Sequence, residues 1–360
     1  MLASCSSSFD RLRVSTLAPG HRLLSRGGRI VALGGGTGLP TLLRGLKEVM
    51  FAGAGSRRPE RERDRLTAII TTADDGGSSG RLRKAYGAIP PGDLRNCLLA
   101  LSEGDPRLAS LFDFRFGGNG DLGGHNLGNL ILTALSEIEN DFLGAIEWAG
   151  SILDVRGRVL PASLEPLTLR ADYEDGTCVD GESRIAAVRR RIEQVSISPP
   201  GARALPQALR AIHGADLIVI GPGSLYTSIM PILLIREIAA AIEISGARVV
   251  LVLNLMTEPG ETDGYSALDF VTAVMHHAPR VRIRDVLINN APIPVNVLER
   301  YTAAGAGAVS IDADPLRFLG CAPVQHDLLE EGGEVRHDPW KLGHAVLDLA
   351  EEEMRCAIPS

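Results

Sequence analysis

The sequence predicts a doubly wound α/β fold: a mostly parallel sheet covered by helices on both faces, with a small β-rich insertion. Three observations predict it. Short β-branched runs of strand length alternate with stretches of helical periodicity. The first run opens directly into a glycine-rich turn, and later runs also end in glycine- or polar-rich loops, as in Rossmann-like proteins. Hydrophobic residues make up 45% of the 360-residue chain but aromatic ones only 4%, so Leu, Ile, Val and Ala must fill most of the core.

Taken in order, residues 1–28 hold six serines, four arginines and one acid, Asp10, without an amphipathic period. A transit peptide has such a composition; a disordered extension is the simpler reading. The ordered domain is expected over 29–350, with 351–360 as a C-terminal tail. Ile30 to Leu33 reads as the first strand, and Pro40 to Val49 as a helix with proline at its first position. Residues 52–64, rich in Gly, Arg and Glu, read as a solvated loop, and Leu66 to Thr72 as the second buried strand. Strands are expected again at Ala215 to Ile220, Arg248 to Leu253, Val286 to Asn289 and Ala308 to Ile311. Helices are expected at Pro231 to Ile244 and Ser266 to His276. The stretch 156–199 breaks this rhythm with extended pieces at Thr168 to Tyr173 and Glu193 to Ser198, the expected insertion.

Composition narrows the function classes. A formal net charge of -7 without a long basic run disfavours nucleic acid and anionic membranes as partners. Five scattered cysteines form neither a Cys-X-X-Cys pair nor a disulfide framework, which points to a reducing compartment and a cytoplasmic location. No apolar stretch reaches the ~18 residues of a transmembrane helix.

The loop Gly34-Gly35-Gly36-Thr37-Gly38 lies between a strand and a helix, where backbone N–H groups and the helix N-terminus favour an anion. Leu39 stands where a dinucleotide fingerprint needs its third glycine, and no Gly-Lys-Ser/Thr follows as in a Walker loop. A tight turn without ligand is the bland alternative. After the second strand come Asp74 and Asp75, then Gly76, Gly77 and Ser78, with Arg81 close by. The two carboxylates suit ribose hydroxyls or a magnesium ion, although Asp-Gly is also an ordinary turn signal. Asp93 resembles a helix cap, and Arg95 and Asn96 follow it on the first turn. His125, Asn126 and Asn129 open a further helix; a capping histidine is a commoner role than a general base. Gly221, Gly223, Ser224, Tyr226 and Thr227 repeat the strand–glycine–hydroxyl pattern, without the second glycine of a nucleophile elbow. Asn254, Thr257 and Tyr265 belong to a last polar loop, whose tyrosine is suited to stacking. Several such loops at strand carboxyl ends imply one ligand crevice.

The ordered motifs at 34–39, 73–83, 90–97, 124–130, 221–228 and 256–265, within a stretch of about 29–345 that closes near Arg336-His337-Asp338, resemble those of the gluconeogenesis-factor family. That family is the YvcK-type branch of the 2-phospho-L-lactate transferase (CofD-like) superfamily. The resemblance implies a regulatory protein that binds UDP-N-acetylglucosamine-like nucleotide sugars and supports cell shape, wall synthesis and growth on gluconeogenic carbon sources. It implies ligand-binding roles for Tyr265 and for a downstream arginine, assigned to Arg300. It also implies cell-wall-synthesis proteins as partners, and a homo-oligomer is expected. The transferase branch implies instead a phospholactyl transfer to the deazaflavin Fo from a guanosine-linked donor, with Mg2+ held by Asp74 and Asp75. The long loops at 74–81 and 221–228 look more like the nucleotide-sugar branch.

Overall fold

Ten strands order the computed structural model, which describes residues 28–51 and 60–356. They are β1 (Ile30–Gly34), β2 (Leu66–Ile70), β3 (Arg158–Pro161), β4 (Thr168–Tyr173), β5 (Cys178–Asp180), β6 (Ile192–Ser198), β7 (Leu217–Ile220), β8 (Arg248–Val252), β9 (Asp285–Asn289) and β10 (Ala322–His326). Seven form one parallel sheet in the order β10-β9-β8-β7-β1-β2-β3. β1, β2, β7 and β8 are buried at every residue, as expected of central strands covered on both faces. Alternation along β1 divides the core. Val31 and Leu33 face one hydrophobic cluster, while Ile30 and Ala32 face the other.

The strand order reverses between β1 and β7, which pair from Ile30↔Leu217 to Leu33↔Ile220. Chain leaving one of these strands turns to one side of the sheet, and chain leaving the other turns to the opposite side. A crevice therefore opens beyond their carboxyl ends. The helix Gly38–Phe51 follows β1 and packs against the C-terminal helix Pro339–Cys356. Their contact needs two glycines: a Cβ on Gly45 would collide with the Pro339 carbonyl, and one on Gly343 with the backbone of Gly45.

Several expectations shift. The helix after β1 starts at Gly38, two residues before Pro40, and proline is still harmless within its first turn. Ala308 to Ile311 is no sheet strand. It makes isolated bridges from Ala308 to Met256 and from Ser310 to Ser266. The sheet edge is taken by β10, whose Pro323, Gln325 and His326 suit an edge and hid it from an apolar search. The helix expected over Pro231 to Ile244 is broken: a π-helical turn Leu225–Ile229 runs on into the helix Met230–Leu233, and the helix Arg236–Ile244 follows at a bend of 74°. Ile235, fully buried, turns extended at the break, so both halves keep an apolar side on the core. β3 belongs to the main sheet, so only β4, β5 and β6 form the inserted antiparallel sheet, in the order β5-β4-β6.

The expected solvated loop contains a short helix, Glu60–Arg63, with 52–59 outside the described residues. The expected N-terminal extension lies outside them through residue 27. The helix Pro339–Cys356 runs into the segment read as a tail, of which 357–360 lies outside them. Among the described residues, no single helix is long and apolar enough to cross a membrane.

Candidate functional site

Beyond the carboxyl ends of β1, β7 and β8 lies a cleft of about 860 Å3. The first glycine loop supplies Gly36, Thr37 and Gly38; β7 contributes Gly223 and Ser224 through its following loop, and β8 contributes Asn254 and Thr257. Asn96 completes the group of expected residues that share this cleft. Gly38 has to be glycine, because a Cβ would collide with the Pro222 carbonyl across the crevice. Gly35 lies behind the lining, where a Cβ would stand 2.5 Å from Asp93 Oδ2 and 2.7 Å from Thr71 Cγ2. Gly221, at φ 77°, turns the chain out of β7. Asn254 Oδ1 accepts the Gly223 N–H at 3.1 Å, and its Nδ2 donates to Glu258 Oε1 at 2.9 Å, locking the two loops together.

Asp93 does not cap its own helix, which begins at Gly92 after Pro91. Its Oδ2 accepts the Gly36 N–H at 2.8 Å. One donor of the anion cradle is thus already held by a carboxylate, and the N–H groups of Thr37 and Gly38 follow it at the helix start. Burial, with Asp74 nearby, pushes the Asp93 carboxyl up to about 6 against the opposing Gly36 hydrogen bond.

Asp74 and Asp75 turn to different tasks. Asp74 Oδ1 accepts the Gly76 N–H at 2.8 Å in a local turn. Asp75 Oδ1 accepts the Ser183 N–H at 2.8 Å from the insertion, and a Cβ on Gly181 would collide with its other oxygen. Oxygen donors suit Mg2+, and each of the two carboxylates already has one oxygen engaged by a backbone N–H. Among the described residues, no group of three His, Cys, Asp or Glu side chains could hold a metal. Glu182, also from the insertion, lies near Asp74, Asp93 and Asp75, and burial and their charges push its carboxyl up to about 9.

The remaining expected residues form supports behind the cleft. Ser78, whose neighbour Gly77 starts the next helix, holds His125 Nδ1 at 3.0 Å and accepts the Asn126 N–H at 3.3 Å. Asn126 caps its helix by accepting the Asn129 N–H, and Asn129 Oδ1 accepts from buried Arg95 at 2.9 Å. Arg95 also donates to Asn96, so it orients a cleft residue from behind. Thr227 Oγ1 donates to Glu261 Oε1 at 2.7 Å, and Oε2 of the same carboxylate accepts the N–H groups of Tyr226 and Thr227. Burial, with Glu258 nearby, raises Glu261 to about 7. Tyr265 shares a 2.8 Å hydroxyl contact with buried Tyr226 and packs on Phe270, away from the cleft lining. Arg300 is exposed and donates to the Gly333 carbonyl.

The cleft instead holds Tyr301, Arg44, Arg336 and His337. Arg44 was legible in principle, since Thr37, Thr41 and Arg44 share one helix face, and its Nη2 donates to Thr41 Oγ1 at 3.0 Å. Tyr301, whose hydroxyl accepts the Val335 N–H at 3.1 Å, carries no local signal because the 329–339 segment brings it to the cleft.

Known proteins place this geometry in a family. Residues 30–329 match the family described as 2-phospho-L-lactate transferase CofD. The chain is 44% identical to the gluconeogenesis factor of Halalkalibacterium halodurans over 89% of its own length and 95% of that protein's. It is 42% identical to the gluconeogenesis factor of Bacillus subtilis, over 90% and 98% respectively. A crystal structure of a UPF0052 family member from Bacillus halodurans superposes with a TM-score of 0.82 at 44% identity, covering 89% of this chain and 98% of that one.

Proposed function

The chain belongs to the gluconeogenesis-factor family of CofD-like proteins, and from that premise we propose that it is a regulatory protein whose cleft binds a nucleotide sugar of the UDP-N-acetylglucosamine type. The observation that carries the reading is the make-up of the cleft at the β1/β7 reversal. A helix N-terminus at Gly38 and the Arg44 guanidinium favour phosphates, while Met256, Ala306, Tyr301 and Val335 offer an apolar wall to a base or sugar. A volume of about 860 Å3 suits a ligand of that size. On this reading the protein acts in the cytoplasm as a homo-oligomer. Through cell-wall-synthesis partners, it links nucleotide-sugar supply to cell shape and to growth on gluconeogenic carbon sources.

Calorimetry with UDP-N-acetylglucosamine tests the reading. Binding is expected, and Arg44→Ala and Tyr301→Ala should each weaken it by roughly tenfold or more, the loss of one charge-assisted or well-packed contact. Absence of heat with the folded wild type sinks the reading. The second reading, a phospholactyl transferase acting on Fo, is favoured by the family description and by the carboxylates of Asp74, Asp93 and Glu182 beside the cradle. Mg2+ belongs to that reading alone, and its expected ligands Asp74 and Asp75 each have one oxygen engaged by a backbone N–H. Mg-dependent product formation from Fo would establish the transferase in its place.

A further inference from the structure

One side chain of the cleft stands apart from the phosphate-binding features. His337 is only 9% exposed and lines the cleft between Arg336 and the start of the helix Pro339–Cys356. Its ring is anchored through the Leu253 carbonyl just past the end of β8. Its Nε2 is buried and has no hydrogen-bond partner among the described residues. Buried polar atoms in folded proteins are nearly always paired, so an orphan in a side chain that lines the cleft points to a missing partner. The anchoring hydrogen bond runs to a carbonyl, so the other ring nitrogen carries the proton and Nε2 presents a lone pair. Burial keeps the ring neutral at physiological pH, with its ionisation pushed down to about 4.

We propose that His337 Nε2 accepts a hydrogen bond from an N–H or O–H group on the nucleoside part of the ligand, making His337 a specificity-determining residue of the cleft. This rests on the nucleotide reading above. A neutral acceptor has nothing to offer a phosphate oxygen, which is also an acceptor. A ligand that reaches both the Gly36–Gly38 loop and His337 must therefore carry anionic oxygens at one end and a donor at the other. Ribose hydroxyls and the N3–H of a uracil meet that demand, and Met256 and Val335 give the same wall the apolar surface a nucleoside needs.

The test uses the full chain and calorimetry with UDP, 2′-deoxy-UDP, 3′-deoxy-UDP and N3-methyl-UDP, on wild type and on His337→Phe. On wild type, one analogue should bind at least tenfold more weakly than UDP, and which one identifies the donor. In His337→Phe that ratio should fall to about twofold or less, because UDP loses its partner and the analogue does not. Equal affinity of all four nucleotides for wild type overturns the proposal without any need for the variant to fold. Persistence of the ratio in a folded variant overturns it as well. If UDP itself fails to bind wild type, the nucleotide reading falls first and takes this proposal with it.

Discussion

Gly36 and Asp93 illustrate how a residue's task depends on what faces it. The glycine was expected to offer its N–H to a phosphate, yet the Asp93 carboxylate already accepts it at 2.8 Å. Asp93 in turn was expected to cap a helix, a role its sequence neighbours advertised and its position one residue inside the helix denies it. Gly38 is the least replaceable member of the loop. Gly38→Ala drives a methyl into the Pro222 carbonyl, so a loss of about 2–3 kcal/mol is expected together with loss of ligand binding. Chemical unfolding and calorimetry on the variant check both; wild-type values would show that the two loops can part cheaply. Glu261 gives a pH-dependent prediction. Its folded pKa, about 7, is raised above the ordinary carboxylate value, so its contribution to stability is fully present below that ordinary value and disappears as pH rises through 7. The amplitude is on the order of 3 kcal/mol. Glu261→Gln, which keeps the shape and an acceptor for Tyr226 and Thr227, should flatten the decline in Tm between about pH 5 and pH 8 and exceed wild type at the alkaline end.

At the scale of elements, the C-terminal helix is held to the sheet by one buried cation. Arg248 on β8 binds Asp285 on β9 through Nε–Oδ2 at 2.6 Å and Nη2–Oδ1 at 2.8 Å, and its Nη1 donates to the Leu349 carbonyl at 2.9 Å. Arg248→Met would leave Asp285 charged and unpaired in the interior, at an expected cost of about 3–5 kcal/mol in urea unfolding. Adding Asp285→Leu should recover most of it; no recovery would mean that the contact with the helix, rather than the charge, dominates. The central strands β1, β2, β7 and β8 were legible because apolar, largely β-branched residues dominate each of them. β10 was not, since an edge strand half open to solvent shows no such pattern and Ala308 to Ile311 imitates it better. The break at Ile235 was also invisible locally, because an apolar period continues across it while only tertiary packing dictates the turn.

For the whole molecule, the fold class and the crevice were readable from strand–glycine–helix punctuation, whereas the far wall of the cleft was not. Tyr301 and Arg336 reach it through the 329–339 segment, whose path depends on where β9 and β10 end. Tyr265 was read from its polar, glycine-bearing loop as suited to stacking, and its hydroxyl meets that of Tyr226. The insertion likewise carried no functional signal in sequence, although Ser183 binds Asp75 and the Val195 N–H donates to His277 Nε2 at 3.1 Å. Because the cleft draws on both ends of the domain, ligand binding should stabilise the fold as a unit. At a hundredfold excess over Kd, UDP-N-acetylglucosamine is expected to add about 2.7 kcal/mol, a rise of a few degrees in a single cooperative melting transition. A split transition in which only one part shifts would argue against shared stabilisation.

The close crossing at Gly45, Pro339 and Gly343 has a consequence in time. The glycine loop leaves the ribosome well before the wall carrying Arg336, His337 and Pro339 is made. Until that wall is made, a nascent chain holds half a receptor. Competence for ligand therefore arrives only with the helix Pro339–Cys356, and a chain cut short before that helix would carry every early motif and still be deaf to the ligand.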